Sequence, residues 1–251
     1  MSILDLLISG NYDTINTMTV TYNNAPYIEH IYSSNLFNNE DTETILNEWP
    51  QITDDRWKCS KKMITNNVGT KLEIAKLENM GENTQTILKK LNSKEFINSL
   101  EKITGINNLK SDIDLYGGGL VYTPKGGFLK VHADFNYYDK IKMYRRLNLI
   151  IYMNKEWDTS WNGNIEFWNQ DISEKLLSYP PNLNTFLLFR VHDTAYHGYP
   201  DSILCPDNMG RKSINIYYYT EENDKLQDKS PHKTLWKNKK ECKSDNAINY
   251  I

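Results

Sequence analysis

The chain has 251 residues, a formal net charge of −3 and 12 % aromatic residues, with 17 Tyr and 6 Trp. That length suits one large domain with a substantial core, and the mixed charge excludes both a basic nucleic-acid-binding field and an acidic disordered tail. Cys59, Cys205 and Cys242 form no C-x-x-C pair or disulfide framework, Met1–Ile8 is too short and lacks the basic start of a signal peptide, and no run approaches the ~18 apolar residues of a membrane span, so a soluble cytoplasmic protein without membrane or nucleic-acid partners is expected.

In chain order, residues 1 to about 35 mix Asn, Thr and Tyr with β-favouring pieces, and Met18-Thr19-Val20-Thr21-Tyr22 reads as a strand. Asn39-Glu40-Asp41-Thr42 opens a helix that runs to about Trp49 and stops at Pro50. Lys71 to Leu77 alternates charged and apolar residues, the pattern of an edge strand. Between residues 84 and 104, Ile87, Leu88, Leu91, Phe96, Ile97, Leu100 and Ile103 recur at helical spacing, with Gly105 as the stop. These helices are expected to support one face of a sheet.

From about residue 114 the texture changes to strands and turns. Leu115 to Tyr122 is a strand opened by three glycines, which mark a bulge or close backbone approach, since no Lys-[Ser/Thr] follows to make a phosphate loop. Pro124 to Gly127 is a turn. Strands follow at 128–132, 145–153, 163–168 and 185–190, with a short one at His197 and a last one at 211–219. Seven or so short strands separated by turn residues argue for a mainly β fold with flanking helices, a two-sheet jelly roll or open barrel that encloses a pocket. Residues 1–110 are then strands and supporting helices, 111–221 the core, and 222–251 a charged, Lys-rich appendage with apolar Leu235 and Trp236, helical or loose, expected to lie over the barrel.

The chemistry centres on Val131-His132-Ala133-Asp134-Phe135-Asn136. In a strand, side chains at i and i+2 share a face, so His132 and Asp134 reach one point in space. His197 supplies a third leg; His192 competes with it from a similar strand end, while His30 and His232 lie in polar, less ordered surroundings. Two His and one carboxylate on one face of an octahedral ion leave three positions open, which suits iron(II) oxygen chemistry. Taken singly, each residue has a duller reading as a half-buried histidine or a turn former. Arg211 opens a strand on which Arg211, Ser213, Asn215 and Tyr217 share one face and Lys212, Ile214 and Ile216 the other. Arg offers a bidentate fork to a carboxylate and Ser213 a hydroxyl; alternatively Arg211-Lys212 is a surface pair at a strand start.

His132, Asp134, His197 and Arg211, in this order and spacing, resemble the iron(II)/2-oxoglutarate-dependent dioxygenases, in particular the prolyl 4-hydroxylase-like branch. The resemblance covers roughly residues 114–221 and extends to Tyr144-Arg145-Arg146-Leu147-Asn148-Leu149-Ile150-Ile151-Tyr152-Met153-Asn154-Lys155-Glu156-Trp157 and Trp161-Asn162-Gly163-Asn164-Ile165-Glu166-Phe167-Trp168. It departs at Gly163-Asn164, where the branch has Gly-Gly and where Asn tolerates a left-handed conformation. The resemblance implies a double-stranded β-helix that binds Fe(II), 2-oxoglutarate and O2, with ascorbate as an optional extra. It implies His132, Asp134 and His197 as metal ligands and catalytic centre, and Arg211, Ser213, Tyr152 and Asn148 as co-substrate residues. Tyr116, Tyr122, Trp168 and Arg146 are assigned to the substrate side. It further implies oxidative decarboxylation of 2-oxoglutarate coupled to hydroxylation of an unactivated C–H bond; a carboxylate at Asp134 separates the chain from halogenating relatives, which leave that position to chloride.

A prolyl residue of a protein or peptide is the substrate the resemblance favours, lying along an exposed strand edge under a lid formed by residues 134–144. A free amino acid, sugar or other small molecule is the alternative, for which Arg145, Arg146 and Glu166 could supply paired charges. A cupin-like metal-binding protein is a further one, though it has no need of Arg211 and Ser213 facing the metal.

Overall fold

The computed structural model describes residues 1–59, 63, 64, 66–222 and 230–238, with the backbone of 248 and 249. The N-terminal region is more helical than its composition suggests. Helix α1 (Ile3–Ile8) starts at a capping box between Ser2 and Asp5, and α2 (Tyr12–Asn23) is capped by the Asn11 side chain. The strand expected at Met18–Tyr22 is therefore the second half of α2. Ile15, Met18 and Tyr22, spaced three and four residues apart, form one buried face, and that helical period overrides the β-branched threonines between them.

Strand β1 (His30–Ser34) follows, then α3 (Asn39–Glu48), capped by Asn38. Trp49 ends α3 in extended backbone at ψ 121°, as a residue before proline must. Strands β2 (Lys58–Cys59) and β3 (Leu72–Ile74) are short, and β2 pairs outside β3, so β3 is not the edge expected of Lys71 to Leu77. The helical stretch at 84–104 is two helices, α4 (Glu82–Leu91) and α5 (Lys94–Thr104). The Ser93 hydroxyl accepts from the Phe96 amide and starts α5 afresh, and Gly105 closes it at φ +69°.

The remaining strands are β4 (Gly119–Pro124), β5 (Leu129–Ala133), β6 (Tyr137–Tyr138), β7 (Met143–Tyr152), β8 (Ile165–Trp168), β9 (Lys175–Tyr179), β10 (Thr185–Arg190), β11 (His197–Tyr199), β12 (Gly210–Thr220), β13 (Leu235–Trp236) and β14 (Ile248–Asn249). They form two sheets. The major one runs β1-β10-β7-β12-β4-β3-β2, with β6 added to β7, and the minor one β13-β5-β11-β8-β9-β14. This is a jelly roll, with its pairings antiparallel except β14–β9. Strands β1 and β3, from the first 110 residues, are thus part of the same sheet as the core strands.

Three apolar clusters follow from strand alternation. The largest joins the helices to the outer face of the major sheet, through Leu147, Leu149, Ile151, Leu188, Ile214, Ile216 and Tyr218. The second lies between the sheets and contains Ile150, Tyr152, Ile165, Phe167, Leu187, Phe189 and Tyr199. A third covers the outside of the minor sheet with Val131, Ala133, Trp168, Ile172 and Tyr196.

Residues 134–144 are not a free lid. They fold into a β6–β7 hairpin with Tyr137 opposite Tyr144. Of the C-terminal appendage, the described residues 230–238 contain a strand: β13 pairs with β5, Trp236 opposite His132. Asn136 clips it in place, donating from its backbone to His232 O (3.3 Å) and from Nδ2 to Ser230 O (2.9 Å), while accepting from the His232 amide (2.8 Å). The edge of β5 is therefore already paired and offers no free edge to a peptide. No helix among the described residues is long and apolar enough to cross a membrane. Cys59 and Cys205 are free thiols; Cys242 lies outside the described residues.

Candidate active site

His132 sits near the end of β5, Asp134 just beyond it, and His197 opens β11 directly opposite His132 in register. That close pairing needs Gly198: a Cβ there would lie 2.8 Å from Leu129 O and 2.9 Å from Lys130 O. The three side chains are buried and converge, with one ligand atom from each within 4.8 Å of the others. Nε2 of His132 is 3.4 Å from Asp134 Oδ1, and Nε2 of His197 is 3.4 Å from Oδ2.

The tautomers are set by the backbone. His132 Nδ1 donates to Lys130 O at 2.8 Å and His197 Nδ1 to Ala195 O at 2.9 Å, which leaves each Nε2 lone pair aimed at the centre. Burial pushes the His197 ring down to about 4, despite the opposing charge of Asp134. Burial also works against ionising Asp134, but Arg145, His197 and His132 outweigh it and hold the carboxyl well below the usual range. Around neutral pH Asp134 is therefore an anion and His197 a neutral electron-pair donor. His192 bonds to Thr194 and stands outside the cluster, His30 bonds to Ile28 O and Tyr179 between the sheets, and His232 lies against Asp193.

Arg211, at the start of β12, enters the same cavity and is 2 % exposed. Its Nε donates to Gly163 O at 2.7 Å, and its guanidinium carbon lies 4.3 Å from the Tyr199 ring centre and 4.9 Å from that of Tyr152. Arg211 Nη2 and the Tyr152 hydroxyl are buried without a hydrogen-bond partner. Ser213 shares this face but donates to Asn215 Oδ1 at 2.9 Å. The left-handed residues of the preceding turn are Asn162 (φ +60°) and Gly163 (φ +81°), not Asn164. This conformation turns the Gly163 carbonyl toward Arg211.

Asn148 lines the same cavity, with both polar atoms of its amide engaged. Its Nδ2 donates to Asp134 Oδ2 at 2.7 Å, and its Oδ1 accepts from Arg145 Nε at 2.7 Å. Arg145 Nη2 lies 3.1 Å from the same Asp134 Oδ2, and its guanidinium is held over the Tyr217 ring at 3.4 Å and near that of Phe135 at 4.7 Å. Arg145 is thus part of the site, although sequence reasoning put it only in the small-molecule alternative. The available signal was Arg145 and Asn148 as polar residues inside an otherwise apolar central strand.

The four substrate-side residues do not line the cavity. Tyr122 pairs with Lys212 on the outer face of the major sheet and packs against Trp57, ring centres 5.9 Å apart. Trp168 belongs to the outer cluster of the minor sheet, its Nε1 donating to Glu166 Oε2. Arg146 is turned away by a bulge: Tyr218 opposes Leu147 while Tyr219 opposes Arg145, so Arg145 takes the inner face and Arg146 lines a surface cleft with Arg190 and Ile106. Tyr116 is 53 % exposed and stacks on Tyr138 at 4.7 Å, with Phe135 at 5.8 Å, beside the residue that follows Asp134.

Residues 117–219 match the model of the 2OG-Fe(II) oxygenase superfamily. That segment holds the jelly roll around the buried His-Asp-His group, and the match together with this donor set supports Fe(II) and 2-oxoglutarate as cofactors. Among solved structures, a prolyl-4-hydroxylase from Pseudomonas putida aligns with a TM-score of 0.55 at 11 % identity, over 82 % of this chain and 100 % of its own. A prolyl hydroxylase from Trichoplax adhaerens, in complex with a peptide fragment of the hypoxia inducible factor oxygen degradation domain, aligns at 0.57 and 14 % identity, over 84 % and 93 %. A Phytophthora capsici prolyl 4-hydroxylase structure aligns at 0.52 and 13 %, over 82 % and 64 %. At these identities the likeness is one of fold. No curated protein matches the chain.

Proposed function

We propose that this oxygenase hydroxylates a prolyl residue presented by a protein or peptide. His132, Asp134 and His197 would hold Fe(II), and Arg211 with Tyr152 would hold the far carboxylate of 2-oxoglutarate. The donor set fits the metal: two imidazoles and one carboxylate, converging and buried. The two unpartnered buried groups, Arg211 Nη2 and the Tyr152 hydroxyl, fit a carboxylate that would accept from both. Bound there, Fe(II) with 2-oxoglutarate and O2 supplies the oxidising power that hydroxylates a C–H bond.

The chain's own residues do the rest. The backbone-fixed imidazoles present their lone pairs, Arg211 orients the co-substrate, and Ile150, Ile165 and Tyr199 help keep water from the centre.

One observation carries the substrate class: the charged groups that a free amino acid would need are engaged elsewhere. Arg145 is bound to Asp134 and Asn148, Arg146 faces the outer side, and Glu166 bonds Trp168 and faces Lys175 at 3.4 Å. Lys71, the remaining cation of the cavity, donates to Gly117 O at 2.8 Å and pairs with Glu73 at 3.3 Å. A side chain offered from outside, past Phe135 and the Tyr116–Tyr138 stack, needs no such charged partners, and an aromatic face packs well against a prolyl ring. The fold shared with prolyl hydroxylases, one of them in complex with a peptide, supports the same reading.

The test is mass spectrometry of a proline-containing peptide library and of free amino acids, each incubated with the protein, iron(II), 2-oxoglutarate and O2. A 16 Da gain on peptidyl proline is expected. Oxidation of a free amino acid with none of any peptide would refute the peptide reading.

A further inference from the structure

The interaction between Arg145, Asn148 and Asp134 is more than a counter-ion for a buried carboxylate. We infer that Arg145 and Asn148 are positioning residues that reserve one oxygen of Asp134 and so hold it as a one-oxygen metal ligand, an inference that rests on the proposed ligand role of Asp134.

Both clamp contacts fall on the same atom. Asn148 Nδ2 reaches Asp134 Oδ2 at 2.7 Å and Arg145 Nη2 reaches it at 3.1 Å; each oxygen has one imidazole nitrogen at 3.4 Å, His197 beside Oδ2 and His132 beside Oδ1, so the clamp alone distinguishes the two. The two donors are locked to each other, since Arg145 Nε donates to Asn148 Oδ1 at 2.7 Å. The guanidinium cannot swing away, being held between the rings of Tyr217 and Phe135 and 3 % exposed. A carboxylate oxygen that already accepts two charge-assisted or amide bonds is a poor third donor to a metal, so the free oxygen is the one left to bind.

The consequence is a coordination count. With two imidazoles and one carboxylate oxygen, an octahedral ion keeps three open positions, two for a chelating keto acid and one for O2. If Asp134 turned and bound through both oxygens, one position would be lost. The clamp thus guards the vacancy that the reaction needs, and it does so from a strand in the opposite sheet to the ligands. The bulge in β7 that brings Arg145 rather than Arg146 to the inner face is what makes it available.

Cobalt(II) titration of the purified full-length protein tests this, with its ligand-field absorption reporting coordination and calorimetry reporting 2-oxoglutarate binding to the cobalt form. Arg145→Met is expected to bind cobalt with a shifted absorption band and to bind 2-oxoglutarate at least about tenfold more weakly. Asn148→Ala, which keeps the guanidinium–carboxylate pair, is expected to shift in the same direction by less, and it decides the matter if Arg145→Met does not fold. Asp134→Ala separates the two claims. If it binds cobalt as the wild type does, the ligand reading itself fails. If it loses cobalt while the folded clamp variants keep the wild-type spectrum and 2-oxoglutarate affinity, the ligand reading stands and the positioning role is overturned.

Discussion

Replacing Arg211 with Ala gives the sharpest test of the co-substrate site. The side chain is 2 % exposed, so its charge is little screened. Truncating one partner of a buried, hydrogen-bonded charge pair costs about 2–5 kcal/mol. One Arg211 nitrogen is committed to Gly163 O and does not depend on the ligand, while Nη2 is unengaged and the Tyr152 hydroxyl would remain as a second donor. These features place the loss near about 3–4 kcal/mol, or roughly 150- to 1,000-fold in 2-oxoglutarate affinity. Calorimetry on the metal-loaded protein reads this directly. Arg211→Ala also strands the Gly163 carbonyl and empties the space between Tyr152 and Tyr199, so a loss of about 2–3 kcal/mol in stability accompanies it and is measured separately by thermal melting. Metal affinity should stay near wild type. Lys212→Ala is the control: its amine lies on the outer face, 5.9 Å from the Trp49 ring. An Arg211→Ala protein that binds 2-oxoglutarate within about threefold of wild type, or an equal loss in Lys212→Ala, would refute the assignment.

Three further outcomes are expected. Asp134→Ala and His197→Ala should each abolish stoichiometric iron(II) or cobalt(II) binding in equilibrium dialysis, while His192→Ala should bind normally, because only the first two belong to the converging group. Burial pushes the Asp112 carboxyl up to about 7 from its ordinary 3.8, against amide bonds from Tyr217 and Leu115 and the charge of Arg145. The folded protein therefore holds that proton more tightly than the unfolded chain, and stability is lost as pH rises from about 4 through about 7, by at most on the order of 4 kcal/mol. Asp112→Asn should flatten the fall of melting temperature over that window; an unchanged slope would exclude Asp112 as its source. Trp236 lies with its ring centre 4.7 Å from that of His132, so cobalt(II) should quench its fluorescence, and Trp236→Phe should remove the largest share of the quenching. Equal quenching in the variant would place β13 elsewhere.

Much of this protein follows from sequence periodicity alone. Two residues apart in a strand means one face, which joins His132 to Asp134 and separates Arg211 from Lys212, and both outcomes appear in the structure. The runs read as strands at 145–153 and 185–190 are buried strands in the structure, at 143–152 and 185–190, and Gly105 ends its helix as a glycine with positive φ should. What periodicity cannot supply is the identity of the face. Alternation places Tyr122 and Trp168 on one of two sides, and only the stacking of helices and sheets decides that Tyr122 meets Trp57 and Trp168 meets Val131.

A bulge defeats the counting altogether. Regular alternation from Asn148 would turn Arg146 inward, but one extra residue against Tyr218–Tyr219 inverts the phase and delivers Arg145 to Asp134 instead. Contacts between segments far apart in the chain are equally invisible in it. Asn136 clipping Ser230 and His232, and Trp236 covering His132, depend on a strand pairing that neither segment encodes by itself. The His132–Asp134 pair is thus local chemistry written at short range, whereas its meeting with His197, its clamp, its cover and the boundary of its pocket exist only once distant strands have paired and the two sheets have closed on each other.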